Sequence, residues 1–423
     1  MPDLYHIFKD ENKNYLYLTE YKQLFCINDD TYECLLDPVK SVGIIAKYVD
    51  RVNSIDQKPL APMKDMQYSL FLCISNTCNA RCTYCFAHQG DYGKSRGIMH
   101  GDTAYSSIDY FMNYVPESAT ACIIFFGGEP IMAYKTLVDT CEYTNHKFKG
   151  RKYSFHLVTN ATLLTREIID YLSKYEFGVG ISIDGGPDIQ NQQRPMVNGC
   201  DSYYETTKNL QYLLSKVHNV HARGTYCNFD YDLVQIYKDL LKLGFIEVNV
   251  PPDLLHLKST SDFEKLCKQL DHLKDYILEY CASNDNFPFG LFITWIRRIF
   301  LPKMNPNYNC GLGSALLSID INGDIYPCHR FCSDDEAKLG NVFNPTFIQK
   351  FDDRELNSNC NDCWNKYTCS HGCRYNDKET GSIEKKHPFW CVYSKKMTEL
   401  SLVLCSQLPP EHIAKILQIS HID

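Results

Sequence analysis

Ten cysteines at short, fixed intervals constrain this chain more than any other feature. Three of them, Cys78, Cys82 and Cys85, stand in SNTCNARCTYCFA with the spacing C-x3-C-x2-C, directly after an apolar run that reads as a strand. Three thiolates on one tight loop can hold three irons of a cubane cluster and leave the fourth iron open for chemistry. A three-cysteine zinc site or reduced structural thiols are the alternatives, although zinc ligands usually come as two paired knuckles. The other seven lie in the last third of the chain. Cys310 and Cys328 flank Gly323, Cys360-x2-Cys363-x5-Cys369-x3-Cys373 forms a dense run, and Cys391 follows. A zinc ribbon would account for four of these seven and leave three unassigned.

The chain carries 21 cysteines in 423 residues, and its opening text, MPDLYHIFKDENKN, has no apolar signal core. The expected location is therefore the reducing cytoplasm, where this cysteine density means metal or redox chemistry rather than disulfides. Cys26, Cys73, Cys122 and Cys227 sit in apolar runs and are expected to be buried hydrophobes. Lys+Arg 43 against Asp+Glu 51 gives a net charge of −8. Such a chain has no global positive field for nucleic acid or an anionic membrane. No stretch approaches the roughly 20 apolar residues of a membrane span.

Short strands LYHIF, NYLYL and QLFCI open the chain, followed by a helical stretch from DDTYECLL to GIIAKYVD. From Tyr68 the rhythm changes. Apolar runs YSLFLCIS, ACIIFF, YSFHLVT, GVGISID, VHARGTYC and FIEVNV alternate with amphipathic stretches such as TAYSSIDYFMNYV, YKTLVDTCEYTNH, REIIDYLSKY and YYETTKNLQYLLSKV. Strands alternating with crossover helices predict a parallel α/β sheet, and six repeats suit a partial (β/α)6 TIM-like barrel whose chemistry gathers at the carboxyl ends of the strands. Beyond it, Ser261 and Glu264 suggest a capping box for a helix whose apolar stripe is Leu266, Leu270, Leu273 and Ile277. Asn322-Gly323 predicts a type I′ hairpin, and FWCVYSKKMTELSLVLCSQL a closing helix.

The C-x3-C-x2-C loop, with Tyr84 before its third cysteine, resembles the cluster loop of the radical S-adenosylmethionine (SAM) superfamily. Gly127-Gly128-Glu129-Pro130 after the second barrel strand resembles that family's GGEP, which meets the amino group of SAM. A glycine pair and a carboxylate suit this task, because the backbone can approach closely and an anion pairs with an ammonium. The resemblance further implies cofactor contacts for Asn160 in VTNAT and for Ser182 in SIDGG, which also holds Asp184. Arg194 would meet the SAM carboxylate together with Ser182, and Val250 would lie near the adenine. Each has a plainer reading: a cap or loop residue for Asn160, Ser182 and Arg194, and a core residue for Val250.

The C-terminal cysteines resemble the SPASM domain, an extension of radical enzymes that act mostly on peptides and proteins. The resemblance assigns Cys360, Cys363, Cys369 and Cys391 to one auxiliary 4Fe-4S cluster and Cys310, Cys328 and Cys373 to another. For the latter's fourth ligand the candidates are Cys332, Cys281 or a substrate thiolate. The cofactors implied are SAM and three 4Fe-4S clusters. The implied layout is a β-rich module at 1–66, a barrel at 67–285, a bridge at 286–309, a SPASM domain at 310–400 and a helical tail at 401–423.

YPCHRF, KLGNVFN and CWNKYTCSHGC look like texts of maturases that crosslink ribosomally made precursor peptides, particularly the SCIFF-type makers of cysteine thioethers. The N-terminal strands and INDDTYECL look like the precursor-recognition start of those enzymes. The implied partners are a cysteine-containing precursor peptide with a leader and a flavodoxin or ferredoxin as electron donor. Anaerobic sulfatase-maturating enzymes share the cysteine pattern, but there an aspartate base follows the cysteine matched by Cys328. Here that position is His329, which is either a proton acceptor or a plain loop histidine. A non-catalytic iron-sulfur or zinc-binding interaction protein is the remaining class.

Overall fold

The computed structural model describes residues 4–54, 67–300, 310–344, 358–369, 371–381 and 387–418. Its chain forms two compact units. One comprises Met1–Pro62, Leu257–Asn309 and Asp353–Asp423, and the other Met63–His256 and Cys310–Asp352. This grouping cuts across the layout expected from sequence. Residues 257–285 join the chain termini, and 310–352 join the barrel strands.

The first unit begins with β1 (Tyr5–Asp10), β2 (Lys13–Leu18) and β3 (Gln23–Ile27), an antiparallel sheet in that order. α1 (Asp29–Leu36) starts where the Asn28 side chain accepts from the Thr31 N–H. α2 (Pro38–Asn53) starts where Asp37 caps Val39 and Pro38 presets the first turn. The pleat of β2 sends Leu16 and Leu18 to one core with Ile27, Leu35, Ile45 and Val52. Tyr15 and Tyr17 go to the opposite core with Phe8, Ile299, Leu402 and Val403. Cys26 is exposed, contrary to the burial expected of it: it faces the same side as Tyr15, but β3 is the edge strand and no further strand covers it.

In the second unit strands and helices alternate: β4 (Gln67–Ser75), α3 (Gly101–Tyr114), β5 (Thr120–Gly127), α4 (Tyr134–Lys147), β6 (Tyr153–Thr159), α5 (Arg166–Lys174) and β7 (Gly178–Ser182). Then come α6 (Pro187–Gln193), α7 (Ser202–Thr207), α8 (Leu210–Lys216), β8 (Asn219–Arg223), α9 (Leu233–Lys242) and β9 (Glu247–Asn249). The stretch expected as one helix over 203–217 is thus broken in two at Lys208-Asn209. The six strands β4 to β9 are parallel and adjacent in chain order. One face is sealed by fully buried Phe125, Leu157, Val179, Ile181, Val220, Ala222 and Val248. The other carries polar side chains, including His156, Ser182, His221, Arg223 and Glu247, and is the inner face of the partial barrel.

α10 (Thr260–Cys281) and α11 (Gly290–Phe300) return to the first unit. The N-cap of α10 is Ser259, whose hydroxyl accepts from the Asp262 N–H, two residues before the box expected at Ser261. Asp262 in turn accepts from the Lys258 N–H, so the reciprocal pair forms earlier. Leu266, Leu270, Leu273 and Ile277 are fully buried, as their stripe requires. β10 (Leu316–Ile319), β11 (Asp324–Tyr326) and β12 (Gly340–Asn341) then extend the large sheet, with β10 parallel to β4. The β10–β11 hairpin exists, but its turn is not type I′. Only Gly323 is left-handed (φ +81°), because the Asp320 carboxylate accepts from the N–H groups of Asn322 and Asp324 and holds a right-handed turn before the glycine.

The chain closes in the first unit with α12 (Ser358–Asn361), α13 (Arg374–Glu379), α14 (Trp390–Gln407) and α15 (Pro410–Gln418). Among the described residues no helix is long and apolar enough to cross a membrane.

Candidate functional site

The loop bearing Cys78, Cys82 and Cys85 leaves the carboxyl end of β4 and is fastened on two sides. Arg81 Nη1 donates to the carbonyls of Cys78 (3.0 Å) and Ala80 (2.8 Å). The Arg81 and Thr83 N–H groups donate to the carbonyls of Pro195 (2.7 Å) and Gln193 (2.9 Å), which bracket Arg194. On the other side Gly128 N–H reaches the Ser75 carbonyl and Glu129 N–H the Thr77 carbonyl, both at 2.7 Å. These approaches leave no room for a Cβ. One on Gly127 (φ +135°) would lie 2.3 Å from the Ser75 oxygen, and one on Gly128 2.3 Å from the Thr77 oxygen. Gly90, which the sequence reading did not single out, belongs to the same packing. It is left-handed at φ +97°, and a Cβ there would stand 2.5 Å from the Cys78 Cβ.

The three thiols are half-buried, and no disulfide occupies any of the 21 cysteines. Burial and the nearby Glu129 carboxylate push the Cys78 thiol up to about 12. Burial also raises that of Cys82, against the opposing pull of the Arg194 guanidinium. The Ala80 N–H points at the Cys78 sulfur (3.4 Å), the type of contact that supports a cluster thiolate. Mononuclear zinc needs several donors converging on one point. Among the described residues no three His, Cys, Asp or Glu side chains do so. A cubane takes one thiolate per iron, and three free cysteines on one glycine-cradled loop are the donor set it needs.

Glu129 is fully buried, and its carboxylate accepts from Thr159 Oγ1 (2.6 Å), the Asn160 N–H (2.8 Å) and the Ile131 N–H (3.1 Å). Burial raises its pKa while these three donors oppose the rise. The carboxylate thus ties the end of β5 to the end of β6, and Pro130 begins the short turn after it. Asn160 Nδ2 donates to Asn79 Oδ1 (2.9 Å) in the cluster loop, and its oxygen accepts from the Thr162 hydroxyl (2.7 Å).

At the end of β7, Asp184 collects four donors. They are Arg194 Nε (3.0 Å) and Nη2 (2.9 Å), the Tyr84 hydroxyl (2.5 Å) and the Thr225 N–H (2.9 Å). The guanidinium also lies 5.3 Å from the centre of the Tyr84 ring. Arg194 is therefore held by a carboxylate of its own chain, a partner that the sequence showed only as the text SIDGG. Ser182, half-buried at the strand end, makes no side-chain hydrogen bond among the described residues. Val250 is fully buried against the space left by Gly224.

His329 lies over the same inner face, its ring 4.1 Å from Phe71, 4.8 Å from Phe126 and 5.5 Å from Phe86. Its Nδ1 is 3.6 Å from the Cys328 sulfur. Enclosure by these rings, with Arg330 and Arg223 nearby, pulls its pKa down to about 3, so the imidazole is neutral. Cys332 is buried beside Cys73, the two sulfurs 3.9 Å apart, while Cys281 is buried at the end of α10. Cys122 is fully buried, and half-buried Cys227 donates to Gln193 Oε1.

The second constellation divides between the units. Cys310, exposed, and Cys328, half-buried, belong to the sheet unit. Cys360, Cys363, Cys369, Cys373 and Cys391 all belong to the other. Cys369 accepts from the His371 N–H and from Trp390 Nε1, both at 3.3 Å, and Cys391 follows at the start of α14. The loop text expected just ahead of Cys310, MNPNYN, lies outside the described residues.

Residues 72–226 match the model of the radical SAM superfamily. The chain is 26% identical over 365 residues to a cysteine-type anaerobic sulfatase-maturating enzyme of Clostridium perfringens, covering 77% of this chain and 93% of that one. It is 26% identical over 367 residues to the radical SAM cyclopropyl synthase TigE of Paramaledivibacter caminithermalis, covering 80% and 73%. Its fold is similar to that of native anSMEcpe with bound AdoMet, with a TM-score of 0.67, 24% identity and coverage of 83% and 100%. The cysteine loop, the glycine cradle and the Asp184–Arg194 pair thus sit at the strand ends of a radical SAM domain, which this chain carries over residues 72–226.

Proposed function

We propose that this chain is a radical SAM maturase that modifies a peptide, forming a cysteine thioether within it. The observation that carries the reading is the C-x3-C-x2-C loop, cradled by Gly90 and Gly128, locked to the end of β5 and the end of α6 through the backbone and to Asp184 through the Tyr84 hydroxyl. When bound, a 4Fe-4S cluster on Cys78, Cys82 and Cys85 and SAM would supply a 5′-deoxyadenosyl radical that removes hydrogen from an unactivated substrate carbon. Around that reaction the chain's own residues bind and exclude. Gly127 and Gly128 let the end of β5 close directly onto the backbone of the cluster loop at Ser75 and Thr77. Arg194, fixed by Asp184, presents its unused Nη1 donors, and Ser182 offers a hydroxyl without a partner. Phe71, Phe86, Phe126 and His329 give the inner face an apolar, water-poor lining.

The peptide class rests on the maturase and cyclopropyl synthase relatives. The C-terminal cysteines, grouped as the SPASM resemblance implies, would hold two auxiliary clusters that take the surplus electron. A flavodoxin or ferredoxin would reduce the first cluster, and the sheet β1–β3 would receive the leader of the precursor. The second reading is formylglycine formation, favoured by the extent of the sulfatase-maturase match. Against it stands His329, neutral and ring-stacked where that group carries an aspartate.

The deciding experiment is anaerobic incubation of the reconstituted enzyme, SAM and reductant with cysteine-rich precursor peptides and, separately, a sulfatase-type peptide, read by mass spectrometry. Loss of two hydrogens per crosslink with an alkylation-resistant cysteine is expected of the first set. Conversion only of the sulfatase-type peptide would establish the second reading. Cys82→Ala should abolish 5′-deoxyadenosine in both, and persistent product would overturn the cluster role.

A further inference from the structure

The carboxyl ends of β7, β8 and β9 set Ser182, Arg223 and Asn249 side by side in register on the inner face. Arg223 is the unusual member. Its side chain is exposed and makes no hydrogen bond or ion pair among the described residues, although it lies at strand ends where barrel chemistry gathers. Its stem is nevertheless placed, not adrift. A Cβ on Gly180 would fall 2.7 Å from Arg223 Cδ and 3.5 Å from Cγ, so the glycine opens a track along which the arginine crosses β7. Beside Arg223, Asn249 Oδ1 is shut away from solvent with no hydrogen-bond partner among the described residues, an acceptor that costs stability unless something donates to it.

A cation and a neighbouring acceptor, both on the inner face, complement an acidic residue within a peptide, which brings a carboxylate and backbone N–H donors together. We propose that Arg223 and Asn249 form the subsite for an Asp or Glu side chain of the substrate peptide, Arg223 pairing with the carboxylate and Asn249 Oδ1 accepting a peptide N–H. Resting on the peptide-maturase reading, the inference adds that the modified segment is acidic. Guanidinium and carboxylate match in planar, two-bonded geometry, so Arg223 is a specificity-determining residue rather than a general counter-charge.

The test is retention of a random cysteine-containing heptapeptide library on the immobilised, cluster-reconstituted full chain with SAM, read by mass spectrometry. Asp or Glu should be enriched at one position by roughly tenfold over Asn or Gln, the discrimination of one charge-assisted pair. Arg223→Gln should erase that enrichment, Arg223→Lys should keep part of it, and Asn249→Ala should weaken retention of acidic and neutral peptides alike. Retention without acidic enrichment, or enrichment unchanged in Arg223→Gln, overturns the subsite and leaves the maturase reading standing. A library not retained at all counts against both. Loss of SAM binding by a folded Arg223→Gln protein would assign the guanidinium to the cofactor and likewise overturn the proposal.

Discussion

Asp184 concentrates at one residue the electrostatics of the strand ends. Its carboxylate is fully buried, yet four donors converge on it, two from the largely buried Arg194. An ion pair of this kind adds little over an apolar pair, but removing one partner strands the other charge out of water. Asp184→Asn should therefore destabilise the sheet unit by about 3 kcal/mol or more, measured by urea unfolding, and release Tyr84 from its contact; wild-type stability would show that Arg194 finds another anion. Sequence alone displayed both residues, ten positions apart, but not their pairing. The pairing arises because α6 turns the chain back onto the end of β7, a tertiary fact with no local pattern.

Strands and the cluster loop meet so closely that glycine is needed for shape. In Gly128→Ala the new methyl would press on two backbone oxygens, of Thr77 and Gly90, neither of which can rotate away. We expect a loss of about 1–3 kcal/mol from overpacking and a fall in iron held by the Cys78 loop after reconstitution, measured as iron per chain; full iron content would show that the loop can shift. β6 and β7 offer a second case. His156 packs over Gly178 in a buried, neutral state, its pKa pulled by burial from 6.5 to about 3. The unfolded chain takes up this proton first, so stability is undiminished above pH 6.5 and falls progressively as pH drops toward 3. His156→Gln should flatten that part of the profile of melting temperature against pH, and an unchanged slope would mean other groups set it. The six parallel strands were legible because the face sealed by buried apolar residues gives each a short hydrophobic run between turn signals. The Ser259 cap and the hairpin turn were misjudged because competing local hydrogen bonds, from Asp262 and Asp320, decided between near-equivalent positions.

At the scale of the whole molecule, three distant stretches of chain build one unit. Lys274 of α10 is buried, its ammonium 2.9 Å from Asp10 of β1 and 2.9 Å from Asp275. His6 stacks on Trp364 at 3.7 Å and bonds Glu399 at 2.8 Å. The N-terminal strands are thus part of a shared core, so excising them to test leader docking would unfold their partners. Asp10→Ala is the sharper probe. It should lower the stability of this unit by about 3 kcal/mol, the cost of a buried lysine short of a partner, as read by denaturant unfolding, without reducing iron at Cys78, Cys82 and Cys85. A parallel loss of that iron would mean that the two units do not unfold independently. The alternation of strands and helices and the cysteine loop of the radical SAM domain are written in the order of the residues, because periodicity and ligand spacing are local properties of a chain. That β10 to β12 extend the barrel sheet, that Asp184 holds Arg194, and that Arg223 crosses Gly180 emerge only from the folded chain. Those depend on which distant segments exclude water from one another, and that is settled by packing rather than by order along the chain.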